Sequence, residues 1–256
     1  MDERSFSAAQ RFLLASKGFW TTTLYGRLRE EYAARCGKRQ PRSVQEVAEV
    51  LEDLTLYRYF AWLERHLQRM KYSGRYGLTR YYDERRAHFL RSLGAVAAND
   101  PILELRPALK LPHYYTSVDI HEHPGGVWAD EVAGFVYEHG ARTTTPLLGS
   151  AHEDLHTRFT ALIAEGGEAG SVLDMGCGFG KSTRPFSARF SAARVEGVDL
   201  SEPCLRVAAH LTRDAGARNT RYRQRDATET DYADASFDLV TSTMLLHELP
   251  PKTIGA

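Results

Sequence analysis

The sequence predicts an α/β chain. A doubly wound, mostly parallel sheet over residues 151–256 follows a mainly helical region over residues 1–150. Three observations predict this. Short apolar runs alternate with amphipathic segments after residue 150, the pattern of βαβ units. A glycine-rich turn, "GCGFG", links the first such run to the next helix. Before residue 110, apolar residues recur at helical rather than alternating spacing.

In the first region, Ser43 precedes "VQEVAEVLEDL" with Glu46 three places on, a capping-box pattern. Val44, Val47, Val50, Leu51 and Leu54 then mark one helical face. "LYRYFAWLERHLQRMKYSGRYGLTRYYDERRAHFL" reads as two helices with a turn at Gly74 and Gly77. From residue 111 the texture changes to prolines, histidines and a Gly125-Gly126 pair. That segment reads as a connector ending near Pro146 to Ser150.

The second region opens with a helix in "AHEDLHTRFTALIAEGG". "SVLDM", "ARVEGVDL", "NTRYRQRD" and "FDLVTSTM" read as four strands. A helix in "KSTRPFSARF" joins the first two. A helix in "SEPCLRVAAHLTRDAG" joins the next two, with Ser201 as N-cap, Pro203 in the first turn and Gly216 as C-cap. In such sheets ligands sit at the carboxyl ends of the strands.

Composition narrows the function classes. The chain has 256 residues, 43% of them hydrophobic and 26% charged, too apolar and too balanced for disorder. Lys+Arg and Asp+Glu are both 33, so net charge points to neither a nucleic acid nor a membrane partner. Cys36, Cys177 and Cys204 match no metal or disulfide spacing and suit a reducing compartment. No apolar run reaches the ~20 residues of a membrane span, and the charged "MDERSFSAAQRF" lacks a signal-peptide core. A cytoplasmic location is the expectation.

"VLDMGCGFGKST" carries the chemistry. Its Gly-Lys-Ser ending suggests a P-loop, but the glycine required five residues before Gly180 is Met175. The dinucleotide fingerprint fails as well, because its third glycine falls at Lys181. The stretch resembles motif I of the class I S-adenosylmethionine-dependent methyltransferases, a Rossmann-like family. The resemblance implies that Gly176, Cys177, Gly178 and Gly180 bring backbone against the cofactor. It implies that Asp174 meets the cofactor's ammonium group, and that the helix starting near Lys181 offers N–H groups to its carboxylate. In "VEGVDLS", Asp199 would accept the ribose hydroxyls, with Leu200 beside it. In "RQRDATE", Asp226 would bind the adenine amino group and Ala227 would supply backbone to the ring. "FDLVTSTMLLHELPP" resembles motif IV. The implied activity is in-line methyl transfer, with S-adenosyl-L-methionine as cofactor and a small metabolite as substrate. RNA is the second substrate class, and a non-catalytic S-adenosylmethionine-binding module is the alternative.

The family sheet has seven strands in the order 3-2-1-4-5-7-6, and only four are placed here. The fourth, "FDLVTSTM", is then an unpaired apolar edge. The expectation is a fragment, or a homo-oligomer or other partner covering that edge.

Other residues bear on the site. His247 follows the fourth strand, where an imidazole suits a general base, and Glu248 reads as a first-turn residue. His121, Glu122 and His123 suggest chelation but do not complete a metal site, so no metal is expected. Tyr114, Tyr115 and this loop are expected to fold over the cofactor, or to pack as an ordinary loop. Residues 55–91 hold nine basic residues against three acids, with tyrosines interleaved. They suit RNA less well than a solvated helix face.

Overall fold

The structure is a computed structural model that describes residues 1–94, 100–142 and 153–255, together with backbone but no side chains at 153–154. The expected end of the connector near Pro146 to Ser150, and the boundary at 150/151, lie outside the described residues.

The first region is helical, as its periodicity predicts. Helices α1 (Glu3–Phe19) and α2 (Tyr25–Cys36) form one rod interrupted by a π-helical turn at Trp20–Leu24. Thr21 and Thr22 turn their hydroxyls back onto the carbonyls of Lys17 and Gly18, each at 2.8 Å, which competes with the regular ladder there. Helix α3 (Val44–Leu51) starts where the capping box places it. Ser43 accepts from Glu46 N at 3.2 Å, although Glu46 reaches back to Arg42 N rather than to Ser43. The aromatic and arginine-rich stretch makes three helices instead of two: α4 (Thr55–Ser73), α5 (Leu78–Asp83) and α6 (Arg86–Leu93). Gly77 explains the first break, since a Cβ there would lie 2.4 Å from the Tyr72 carbonyl. The tyrosines divide. Tyr59 is exposed, whereas Tyr72 and Tyr82 are buried with Phe135, so part of the stretch is core.

The expectation of four strands is corrected to five. Strand β1 (Leu103–Glu104) comes from the first region. It is followed by α7 (His113–Thr116) and α8 (Ala133–Ala141). Then come α9 (Glu153–Ala164), β2 (Ser171–Met175), α10 (Thr183–Arg189) and β3 (Arg194–Asp199). The chain continues through α11 (Glu202–Asp214), β4 (Thr220–Gln224), β5 (Leu239–Ser242) and α12 (Pro251–Ile254). The sheet order is β1-β4-β3-β2-β5, and every pairing is parallel. A two-residue strand has no readable period, so β1 escapes sequence patterning.

Val172, Val195 and Val198 are fully buried, as a sheet covered on both faces requires. Strand β4 alternates. Thr220, Tyr222 and Gln224 are buried, while Arg221 and Arg223 point into an ionic cluster. There Glu196, 1% exposed, forms an ion pair with Arg223 Nε at 2.9 Å and accepts a hydrogen bond from the Tyr232 hydroxyl at 2.8 Å. Glu104 pairs with Arg221 at 3.0 Å and also with Arg225. Such pairing is what makes buried charge tolerable.

The two regions share a core. Helix α8 lies on α11 so closely that a Cβ on Gly134 would meet the Pro203 carbonyl at 2.2 Å. Phe6, Tyr72 and Tyr82 pack in one cluster with Phe179 and Val207. Strand β5 pairs with β2 on one side, and among the described residues no strand pairs with its other side. Val240 on this edge is exposed. Among the described residues no helix is long and apolar enough to cross a membrane.

Candidate functional site

A cleft opens at the carboxyl ends of β2, β3 and β4, where the sheet architecture predicts it. Gly176, Cys177 and Gly178 line it from the turn after β2. Asp199 and Leu200 line it at the end of β3, and Asp226 and Ala227 after β4.

The turn needs its glycines for two different reasons. Gly176, Gly178 and Gly180 have φ of 70°, 51° and 73°, in the left-handed region that side chains disfavour. Around Gly178, among the described residues, only Tyr137 comes within van der Waals reach, at 3.6 Å. Gly180 differs from its expected role. It does not line the cleft, and a Cβ there would sit 2.4 Å from the Tyr222 hydroxyl. Its missing side chain admits α11 and β4, not a ligand.

Asp174 is also placed differently. Met175 ends β2, and Asp174 is fully buried beneath the turn, outside the cleft lining. Its Oδ2 accepts from the Ser182 and Thr183 hydroxyls, both at 2.6 Å. It pins the start of α10, which begins two residues later than the sequence suggests. Burial raises its pKa to about 6, against the two hydrogen bonds that lower it.

Asp199 is held from two sides. Its Oδ2 accepts from Gly178 N and its Oδ1 from Ser201 N, both at 2.8 Å. Burial raises its pKa to about 6, and the nearby Glu248 pushes the same way against the backbone hydrogen bonds. Ser201 caps α11 by accepting from Cys204 N, and its hydroxyl donates to Val127 O at 2.6 Å. The connector is thereby tied to the strand end. Asp226 stands two residues beyond β4 and accepts from Thr228 N and Oγ1 at 2.9 and 2.7 Å. Burial pushes the Cys177 thiol well above its usual range, so it is an apolar wall rather than a nucleophile.

Tyr114, Tyr115, Ile120 and His121 line the cleft opposite the strand ends. The connector does reach the site. Here sequence reasoning misses the main feature. His121 Nε2 donates to Glu248 Oε1 at 2.7 Å, across 127 positions of sequence. The His121 and His247 rings lie 5.5 Å apart. Glu248 is therefore a partner of His121 rather than a simple first-turn residue. His123, which the sequence groups with His121, is buried and stacked on Tyr72 at 5.1 Å. Burial lowers its pKa to about 4. His121 and Met244, both lining the cleft, have φ of 59° and 63°. Non-glycine residues held there cost about 1–3 kcal/mol each and cluster at functional sites.

The cleft also holds polar groups in need of partners. Tyr115 Oη, His156 Nδ1 and Thr243 Oγ1 are buried without a hydrogen-bond partner among the described residues. That suits a polar ligand.

Residues 172–256 match the family described as "Methyltransferase domain". A methyltransferase of Aspergillus campestris is 36% identical over 88 residues, 32% of this chain and 25% of that protein. The ubiquinone biosynthesis O-methyltransferase of Idiomarina loihiensis is 43% identical over 86 residues, 32% of this chain and 34% of that protein. The nocamycin O-methyltransferase of Saccharothrix syringae is 32% identical over 83 residues, 31% of this chain and 30% of that protein. The chain thus spans between 25% and 34% of the length of these relatives.

Proposed function

We propose that this chain, whose residues 172–256 match the methyltransferase domain family, is a class I methyltransferase that binds S-adenosylmethionine and transfers its methyl group to a small molecule. The observation that carries this reading is the set of strand-end groups in one cleft. Gly176 and Gly178 expose backbone, Asp199 is locked beside them by Gly178 N, and Asp226 and Ala227 stand just beyond the next strand. Open space beside Gly178 and the unpartnered hydroxyls of Tyr115 and Thr243 fit a long polar ligand.

S-adenosylmethionine supplies an electrophilic methyl on a sulfonium whose sulfur keeps the bonding pair. The chain's own residues bind, orient and exclude water. Asp199 is set to accept ribose hydroxyls through charge-assisted hydrogen bonds. Asp226 and Ala227 are set against the base. Tyr115 and Tyr137 wall the methyl-acceptor side, where His121, His247 and Glu248 converge. Holding two reactants in attack geometry accounts for most of the rate gain this chemistry needs. The names of the Idiomarina and Saccharothrix relatives support a small-molecule acceptor.

Two measurements on the same preparation test the reading. Calorimetry should detect S-adenosylhomocysteine, and labelled methyl should pass from S-adenosylmethionine into a small-metabolite extract rather than into RNA. No binding of S-adenosylhomocysteine sinks the proposal. Binding without transfer leaves a non-catalytic module, and transfer into RNA alone replaces the substrate class.

A further inference from the structure

We propose that His121, His247 and Glu248 form a binding site for a divalent transition-metal ion at the acceptor end of the cleft. One donor atom from each of the three lies within 4.8 Å of the others. His121 Nε2 is 2.7 Å and His247 Nε2 3.8 Å from the same Glu248 oxygen. Donors bound to one ion at about 2.1 Å lie about 3.0 Å apart when cis in an octahedron, and about 3.4 Å apart in a tetrahedron. The two distances to Glu248 bracket those values, and the third pair, His121 and His247, lies within 4.8 Å.

The donor chemistry is selective. Two imidazoles and one carboxylate suit zinc, iron(II) or cobalt(II) rather than magnesium or calcium, and they leave coordination positions open. A structural hydrogen bond between His121 and Glu248 does not need a second imidazole at the same point. The surrounding structure also holds the ligand in place. Gln68 Nε2 donates to the His121 carbonyl at 2.8 Å, and the His121 ring stacks on Tyr137 at 6.2 Å. This anchoring keeps His121 in its left-handed conformation, φ 59°. The "HEHPGG" stretch holds one true donor, His121, and the other two arrive from residues 247 and 248.

The role of the ion rests on the methyl-transfer reading, but its binding does not. An acceptor hydroxyl on an open position would lose its proton to water, with the O–H pair staying on oxygen. His247 would then serve as a ligand instead of a base.

Cobalt(II) titration of the chelator-treated full chain tests the site. The expected result is one equivalent bound, with the visible absorption of nitrogen- and oxygen-ligated cobalt. His121→Asn, His247→Gln and Glu248→Gln should each weaken binding at least ~100-fold, beyond what outer partners give. His88→Ala, an exposed histidine on α6, should leave it unchanged. Asn at 121 tolerates the left-handed backbone. S-adenosylhomocysteine affinity, measured on every variant, reports that the fold survives. A chain that binds S-adenosylhomocysteine but no cobalt, or cobalt binding that survives all three variants, overturns the site. Cobalt binding lost in all three variants, without S-adenosylhomocysteine binding in the parent, supports the ion and counts against the cofactor reading.

Discussion

On the wall of the cleft proposed for the cofactor, Gly176, Gly178, Asp199 and Leu200 come from 25 consecutive residues, 176 to 200, and each lies at or just after a strand end. On the wall proposed for the acceptor, His121 and Glu248 meet across 127 positions of sequence, carried by two 3-10 turns, Ile120–Glu122 and Leu246–Glu248. The cofactor wall satisfies Asp199 with two backbone N–H groups. The acceptor wall holds His121 and Met244 in left-handed backbone and leaves Thr243 Oγ1 without a partner among the described residues. One wall is pre-set by the sheet, while the other is assembled by packing and kept under strain. A wall of the first kind suits a ligand common to many enzymes. The second kind suits chemistry particular to one.

The comparison breaks first at His247. His247→Gln should lower turnover ~10²-fold or more and leave S-adenosylhomocysteine affinity intact. Full turnover in that variant would make the acceptor wall a packing feature. Asp199→Ala should do the converse, weakening S-adenosylhomocysteine at least ~10-fold by calorimetry, since hydrogen bonds to charged groups are worth about 1.5–3 kcal/mol. An unchanged affinity would remove Asp199 from the site.

The glycines sharpen the cofactor wall itself. Gly180→Ala should cost about 1–3 kcal/mol of stability, read in denaturant, because its Cβ meets Tyr222 at positive φ. Gly178→Ala has free space, so its loss should show more in ligand affinity than in packing. Equal stability losses would erase that distinction.

The strand ends beneath and along this wall should also respond to pH. Asp174 and Asp199 hold pKa values raised to about 6 from 3.8. Between those values the folded chain keeps protons that the unfolded chain has released. Stability therefore falls as pH rises through about 4 to 6, by at most about 1.4 kcal/mol per pH unit for each carboxyl. Denaturant midpoints across that range should show the slope, and Asp174→Asn should reduce it while Asn Oδ1 still accepts from the two hydroxyls. A slope unchanged in the variant would take Asp174 out of the account.

The smallest expected effect lies at the sheet edge. Val240 on β5, Met244 and Leu246 just after it, and Ile254 on α12 are exposed. Open apolar edges recruit partners, so light scattering should show self-association that Val240→Lys reduces. A monodisperse monomer in the parent would show that this edge is quiet.

Much of the fold is legible in the residues themselves. Strands β2 to β5, the glycine turn, the Ser201 cap and the ligand end of the sheet all follow from patterns spanning a few positions. A parallel strand, a tight turn and a helix cap are each determined by neighbouring side chains and backbone sterics. Tertiary structure alone decided the rest. Strand β1 is too short to carry a period and exists because β4 offers it a free ladder. Whether a motif residue faces ligand or core also depended on packing. Asp174 turned inward because Ser182 and Thr183 reach its carboxylate first, and Gly180 serves Tyr222. The meeting of His121, His247 and Glu248 has no sequence signature at all. Spacing constrains only residues within a turn or two, whereas a cluster closed across 127 positions is set by how two loops pack over the sheet.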